Sequence, residues 1–174
     1  MSFETLQIYN SLVALLSLVS IAAAVGLTGY RILKGPEVAV GPAALWAAWL
    51  VALVATVGSL IYSEVAHFVP CRLCWFQRIA MYPMSVILLV GAIRKEAVAR
   101  LYALPLALVG LGISIYHYII QLYPSLEGSS CDPVAPCSSR YVEVFGFVSI
   151  PFMAGAGFMV IAVLLAFYVR ARNE

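Results

Sequence analysis

The chain has 174 residues, 64% of them hydrophobic and 10% charged, with a formal net charge of +2 and a mean hydropathy of +1.01. Soluble domains run at roughly 45 to 50% apolar and 25% charged, so a water-soluble globule is excluded. The small net charge without a basic cluster speaks against nucleic-acid binding, and a lipid bilayer is the partner that this composition demands.

Hydrocarbon accepts only helices or closed barrels, because backbone groups find no water there. Five apolar stretches approach or exceed the roughly 20 residues that span a bilayer, too long and continuous for barrel strands. They run over Gln7–Tyr30, Ala43–Ala66, Trp75–Ile93, Leu101–Leu122 and Phe145–Tyr168. The expected fold is therefore an all-α membrane protein with five transmembrane helices. An odd number places the termini on opposite sides. Arg31, Lys34, Arg94, Lys95, Arg100, Arg170 and Arg172 share one side, against Arg72, Arg78 and Arg140 on the other. The positive-inside rule then puts the N-terminus outside, the C-terminus in the cytoplasm and all four cysteines on the outer face.

In the first stretch, Ala22-Ala23-Ala24 has the small residues of a signal-peptide cleavage site. The segment Met1–Leu6 carries only Glu4, however, and the basic residues follow the apolar run, which favours an uncleaved anchor. The linker Gly35–Pro42, with its prolines and glycines, reads as a turn. In the second stretch Glu64 and His67, three apart, share a helical face and read as solvated residues at a helix end. Pro83 and Pro105 are tolerable kinks if neighbours satisfy the freed carbonyls. Gly110, Gly112 and Ala154-Gly155-Ala156-Gly157 offer small surfaces for helix contact. Trp46, Trp49, Trp75 and several tyrosines near span ends read as interfacial belts.

The chemistry gathers at the third stretch. Cys71 and Cys74 stand in C-x-x-C spacing at the mouth of an apolar helix, so Cys74 falls near the helix N-terminus, where unpaired N–H groups favour a thiolate. Arg78, four residues on, projects from the same face and adds a positive charge. A second pair, Cys131 and Cys137, lies in the loop Tyr123–Val144 with Pro133 and Pro136 between them. Loop entropy favours a Cys131–Cys137 ring by about 2.4 kcal/mol and a Cys74–Cys131 bridge by roughly 4, a near balance that suits exchange. Spacing and topology favour redox exchange over inert structural disulfides. They disfavour a metal site, because the second pair lacks the tight spacing of a zinc half-site.

These residues carry a resemblance. Pro70-Cys71-Arg72-Leu73-Cys74-Trp75-Phe76-Gln77-Arg78 resembles the P-C-x-L-C-x-x-x-R signature of the DsbB family of bacterial disulfide-bond formation proteins. His117-Tyr118-Ile119-Ile120-Gln121-Leu122-Tyr123-Pro124-Ser125 resembles its H-x-x-x-Q-L-Y-P-S stretch. The likeness covers about Leu45 to the C-terminus. It implies a four-helix bundle over residues 43–174, with residues 1–42 as an extra N-terminal helix and linker, in the bacterial plasma membrane. The implied activity is that of a thiol:quinone oxidoreductase. It reoxidises a DsbA-like thioredoxin-fold partner and passes electrons to a membrane quinone, ubiquinone or menaquinone. Carried onto this sequence, Cys131 forms the mixed disulfide and pairs with Cys137 in the resting loop, while Cys71 and Cys74 form the second pair. Cys74, Arg78, His117 and Gln77 then lie by the quinone, Gln121 reads as helix packing, and no metal is expected. Two features depart from the commonest pattern, the extra first helix and the short Cys131–Cys137 interval. A vitamin K epoxide reductase-like protein is the other enzyme reading, disfavoured because its C-x-x-C follows the loop pair. A transporter or scaffold with structural disulfides lacks polar mid-membrane segments here.

Overall fold

The computed structural model describes residues 2–34, 43–128 and 131–167. Among these the protein is all-helical: α1 (Phe3–Lys34), α2 (Ala43–Leu60), α3 (Arg72–Arg94), α4 (Ala99–Leu122) and α5 (Ile150–Ala166). The first four, with α2 extended to Val65, are long and apolar enough to cross a membrane. The fifth is a shorter apolar helix of 17 residues, about 25 Å by helical rise. The linker 35–42, Tyr168, Arg170 and Arg172 lie outside the described residues.

The helix ends differ from the expected spans for identifiable local reasons. Helix α3 starts three residues before Trp75, because Cys71 takes the N-cap and its sulfur accepts the Cys74 N–H at 3.3 Å. It ends at a left-handed Lys95, whose N–H returns to the Gly91 carbonyl. Helix α2 widens into a π-helical turn over Ile61–Val65, closed by the Ala66 N–H on the Ile61 carbonyl at 3.0 Å. His67 then adopts a left-handed conformation (φ 56°). It has left the helix, so it does not share a helical face with Glu64; both side chains are exposed. Before α5, Phe145 (φ 55°) and Gly146 (φ 76°) reverse the chain. Val144 and Val148 exchange N–H···O bonds of 2.9 Å across that turn. The helix therefore begins at Ile150, not at Phe145.

Helices α2, α3, α4 and α5 form a ring in which each packs on the next and α5 closes on α2, while α1 lies outside against α5. Leu45, Met84, Leu88, Phe158, Ile161 and Leu165 fill the centre. Lipid tails are as apolar as leucine, so helix association depends on close packing. Gly110 shows this: a Cβ there would stand 2.3 Å from the Phe158 ring, so with any larger residue the ring or α5 has to shift. A Cβ at Gly112 would meet open space, which corrects its reading as a packing residue. Pro83 and Pro105 both lie within unbroken helices.

The chain direction puts the start of α3, the end of α4 and the following loop at one end of the bundle, with all four cysteines. Lys34, Arg94, Lys95 and Arg100 lie at the other end, on the last residues of α1 and around the α3–α4 connection. Helix α1 is tied at both ends. Near its start the Tyr9 hydroxyl donates to the Gly58 carbonyl at 3.2 Å, and the Asn10 Oδ1 accepts from the Tyr62 hydroxyl at 2.9 Å. Near its end Arg31 donates to the Phe167 carbonyl at 3.1 Å and stacks 4.8 Å from that ring's centre.

Candidate redox site

The N-cap of α3 and the loop after α4 meet around four sulfurs. Cys71 is 3% exposed and Cys137 fully buried, and the two pack in one cluster with Ile120, flanked by Cys74 and Cys131. Cys131 and Cys137 are joined by a disulfide, and Cys71 and Cys74 are unbonded thiols whose sulfurs lie 2.9 Å apart. The N-cap sulfur is thus Cys71, while Cys74 is the third residue of the helix and supplies the N–H.

His117, on the inner face of α4 and 2% exposed, sits against both pairs. Its Nε2 lies 3.6 Å from the Cys71 sulfur and 3.0 Å from the Cys137 carbonyl oxygen. With Nε2 protonated, one ring N–H serves a carbonyl and a sulfur that belong to different cysteine pairs. The hydrogen bond from the Cys74 thiol, with those from His117 and the Cys74 N–H, pulls Cys71 down to about 4 against the opposing effect of burial. Cys71 is therefore the sulfur prepared as a thiolate in this state.

The loop is held by Glu127. Its Oε1 accepts the Cys137 N–H at 2.5 Å, and its Oε2 accepts the Ser138 hydroxyl at 2.5 Å. These donors, Ser138 first, hold the Glu127 carboxyl below the usual carboxylate range. Gln121, 5% exposed, donates to the Ser139 carbonyl at 3.1 Å, and Arg140 donates to the Gln121 backbone carbonyl at 2.8 Å. Gln121 thus packs its helix against the redox loop. A cavity of about 20 Å³, room for one water, is lined by Cys71, Cys74, His117, Gln121, Ser139 and Tyr141 among others. His117 Nδ1 and Gln121 Oε1 are buried polar atoms without a partner among the described residues.

The other two expected site residues point to different helices. Gln77 is buried and donates to the Ser114 hydroxyl of α4 at 3.0 Å, which in turn donates to the Gly110 carbonyl at 2.8 Å. Arg78, 9% exposed, turns to α2 instead: Nε and Nη2 donate to the Oγ and carbonyl oxygen of Ser59, both at 2.9 Å. Its guanidinium lies 5.2 Å from the ring centre of Trp75, a half-exposed side chain. The structure therefore brings His117 to the cysteines, ties Gln77 into the α3–α4 interface and sets Arg78 beside Trp75 at the α2–α3 edge. Ser59 and Ser114 escape sequence reasoning, since a serine in an apolar helix carries no signal of its partner. Glu127 escapes for the same reason in a polar loop.

Cys71, Cys74 and His117 offer ligand atoms within 4.8 Å of one another. The Cys71 and Cys74 sulfurs lie 2.9 Å apart, within hydrogen-bond reach of one another. Glu127, Cys131 and Cys137 also lie close together, but their sulfurs are consumed by the disulfide.

The sequence profile of the family described as "Disulfide bond formation protein DsbB" matches residues 42–168. A "Disulfide bond formation protein C" of Bacillus subtilis (strain 168) is 41% identical over 131 residues, covering 75% of this chain and 95% of that protein. A "Probable disulfide formation protein" of Oceanobacillus iheyensis is 46% identical over 128 residues, or 72% of this chain and 88% of its own length. A "Probable disulfide formation protein C 1" of Bacillus anthracis is 47% identical over 122 residues, 69% and 87% respectively. No solved structure matches the chain. A profile match over most of the chain, relatives covered nearly end to end and a helical bundle with two cysteine pairs at one end lead to one conclusion: the chain belongs to the DsbB family of disulfide bond formation proteins.

Proposed function

We propose that this multi-pass membrane protein is a thiol:quinone oxidoreductase that reoxidises a thioredoxin-fold disulfide donor of the DsbA type. Its four cysteines would face the outside of the bacterial plasma membrane. The observation that carries the reading is the His117 bridge, which holds the Cys71 sulfur and the backbone of Cys137 on one buried ring. Two cysteine pairs so placed can exchange electrons without leaving the core.

Each step is thiol–disulfide exchange until the last. A partner thiolate attacks Cys131, the more exposed loop sulfur, and Cys137 leaves as a thiolate. The second partner thiolate resolves this mixed disulfide, so the partner is oxidised and the loop pair holds two electrons. When Cys71 and Cys74 are disulfide-bonded, the Cys137 thiolate attacks Cys71, its neighbour in the buried cluster, and Cys74 leaves. Cys131 then attacks Cys137, Cys71 is released, and the loop disulfide is restored. The product is the arrangement seen here, with the loop pair bonded and Cys71 and Cys74 reduced. His117 stabilises the Cys71 thiolate as it leaves.

A bound quinone supplies the two-electron, two-proton acceptor that returns Cys71 and Cys74 to a disulfide. The residues fit such a ring. Cys74 is half-buried one turn from Arg78, and Trp75 presents a flat apolar face beside the cation. Ser59 uses Nε and Nη2 of Arg78, which fixes the guanidinium and leaves Nη1 outside both bonds, available to a quinone oxygen. Gln77 keeps α3 registered on α4 behind this surface.

The test is quinone-dependent oxidation of a reduced thioredoxin-fold substrate by the purified protein. Cys137→Ser, which has no loop disulfide for the partner thiolate to attack, should leave the reduced substrate unoxidised, and Cys74→Ser should oxidise one substrate equivalent but not turn over. Full quinone-linked turnover by Cys74→Ser would sink the assignment.

A further inference from the structure

We infer that α1 is a brace that positions Arg78, so that the first helix of this chain sets the affinity of the quinone site without touching the cysteines. The inference rests on the quinone role of Arg78 proposed above, and the family profile begins only at residue 42, beyond α1.

Among the described residues, Arg78 donates hydrogen bonds to Ser59, at both its hydroxyl and its carbonyl oxygen. Ser59 occupies the last turn of α2, immediately before the π-helical turn Ile61–Val65. Helix α1 grips the chain on both sides of it. The Tyr9 hydroxyl donates to the carbonyl of Gly58, one residue before Ser59, at 3.2 Å. The Asn10 Oδ1 accepts from the hydroxyl of Tyr62, three residues after, at 2.9 Å. The Tyr9 and Tyr62 rings meet edge to face at 5.2 Å. At Gly58 an added Cβ would lie 3.0 Å from the Tyr9 hydroxyl, so the glycine makes room for this contact.

A π-helical turn is a rare, single-turn departure from the α-helix, found frequently at functional sites. The junction that carries Ser59 therefore lacks the support of a continuous α-helix on one side, which leaves freedom beside a cation that has to sit within about 0.5 Å of its place. Two side-chain bonds from a neighbouring helix, in a region where apolar surroundings strengthen them, remove that freedom. Tyr82 adds a third contact, 3.4 Å from its hydroxyl to the Ser59 Oγ, but from α3 itself, so it cannot fix α2 against α1. Tyr9 and Asn10 are positioning residues: they reach Arg78 only through Gly58, Ser59 and Tyr62.

The experiment uses the full chain with Trp46 and Trp49 replaced by Phe, so that Trp75 emission reports the guanidinium lying over its ring. Tyr9→Phe, Asn10→Leu, Ser59→Ala and Arg78→Ala are compared for Trp75 emission and for the KM of quinone and of the thiol substrate. Tyr9→Phe and Asn10→Leu should each raise the quinone KM roughly three- to tenfold, the effect of one neutral hydrogen bond. The KM for the thiol substrate should not move. Trp75 emission should shift in the same direction as in Ser59→Ala, and Tyr9→Phe should add nothing to the quinone KM of Arg78→Ala, since the brace acts only through that guanidinium. Additive effects, or Trp75 emission unchanged in the α1 variants while Ser59→Ala shifts it, would overturn the brace. If the emission shifts occur but Arg78→Ala leaves the quinone KM unchanged, the brace stands and the quinone role of Arg78 falls.

Discussion

His117 Nε2 stands 3.6 Å from the sulfur of Cys71 and 3.0 Å from the carbonyl oxygen of Cys137, so one buried ring couples the helical cysteine pair to the loop pair. The contact needs α4 packed on α3 and the loop folded back over both. It makes the reactivity of Cys71 a property of the assembled bundle, not of the C-x-x-C spacing alone.

In the reduced C-x-x-C pair, Cys71 is pulled down to about 4, with the Cys74 thiol as the first cause and His117 next. A lowered value means that the thiolate persists as pH falls and is lost only near that value. The rate of Cys71 alkylation, resolved by mass spectrometry, should therefore be flat between about pH 6 and pH 8. His117→Leu, which leaves the larger contribution of the Cys74 thiol in place, should raise the inflection above that of wild type. A wild-type rate that rises tenfold per pH unit there would show an ordinary thiol.

Glu127 closes the redox loop by accepting the N–H of Cys137 and the hydroxyl of Ser138. Because its carboxyl is depressed in the folded state, chiefly by Ser138, the stabilisation is present above the normal carboxylate range. It is lost as pH falls through the lower folded value. Glu127→Gln should reduce the hydrogen-exchange protection of the Cys137 and Ser138 amides by roughly tenfold at neutral pH. Unchanged protection would mean that the disulfide and the bundle hold the loop without the carboxylate.

Sequence pattern and structure agree where one element decides the outcome, and part where two must meet. The apolar runs and the C-x-x-C at the head of α3 are local, and so are legible. The start of α5 is not, because Phe145 and Phe147 are as apolar as a helix requires while Phe145 and Gly146 take left-handed conformations that reverse the chain. Ser59 is silent in the sequence, since its bond to Arg78 spans 19 residues and two helices. His117 resembles an interfacial histidine until the packing of α4 on α3 removes it from solvent. Gly110 and Gly112 look alike as small residues, but two positions apart on a helix they face different ways, and only Gly110 meets a neighbour.

That last difference predicts stability. Gly110→Ala places a Cβ 2.3 Å from the Phe158 ring, and overpacking of this kind costs about 1 to 3 kcal/mol, against a gain of about 1 from helix propensity. The variant should melt a few degrees below wild type in detergent, and Phe158→Leu in the same chain should restore part of the loss. Gly112→Ala should be neutral or slightly stabilising. Equal melting temperatures for the two alanine variants would show that α4 and α5 do not depend on the close approach.

Arg78 tests the proposed quinone site most directly. An arginine that merely snorkels to the headgroups tolerates lysine, because only its charge is used. Here the guanidinium is 9% exposed and gives Nε to the Ser59 hydroxyl and Nη2 to the Ser59 carbonyl, a two-point attachment that fixes its plane against Trp75. A lysine ammonium has no rigid fork: bound to Ser59 it no longer presents a fixed donor beyond that residue, and turned outward it leaves Ser59 unpaired. Arg78→Lys should therefore raise the quinone KM despite equal charge. Arg78→Ala should raise it roughly 10- to 100-fold, the range for losing a hydrogen bond to a charged group. Ser59→Ala should fall between wild type and Arg78→Ala, since the charge and the bond to the backbone carbonyl remain while the Nε bond is lost. Quinone titrations of folded wild type and the three variants, with the thiol partner saturating, provide the measurement. Equal KM values for wild type and Arg78→Lys would reduce the role of Arg78 to its charge.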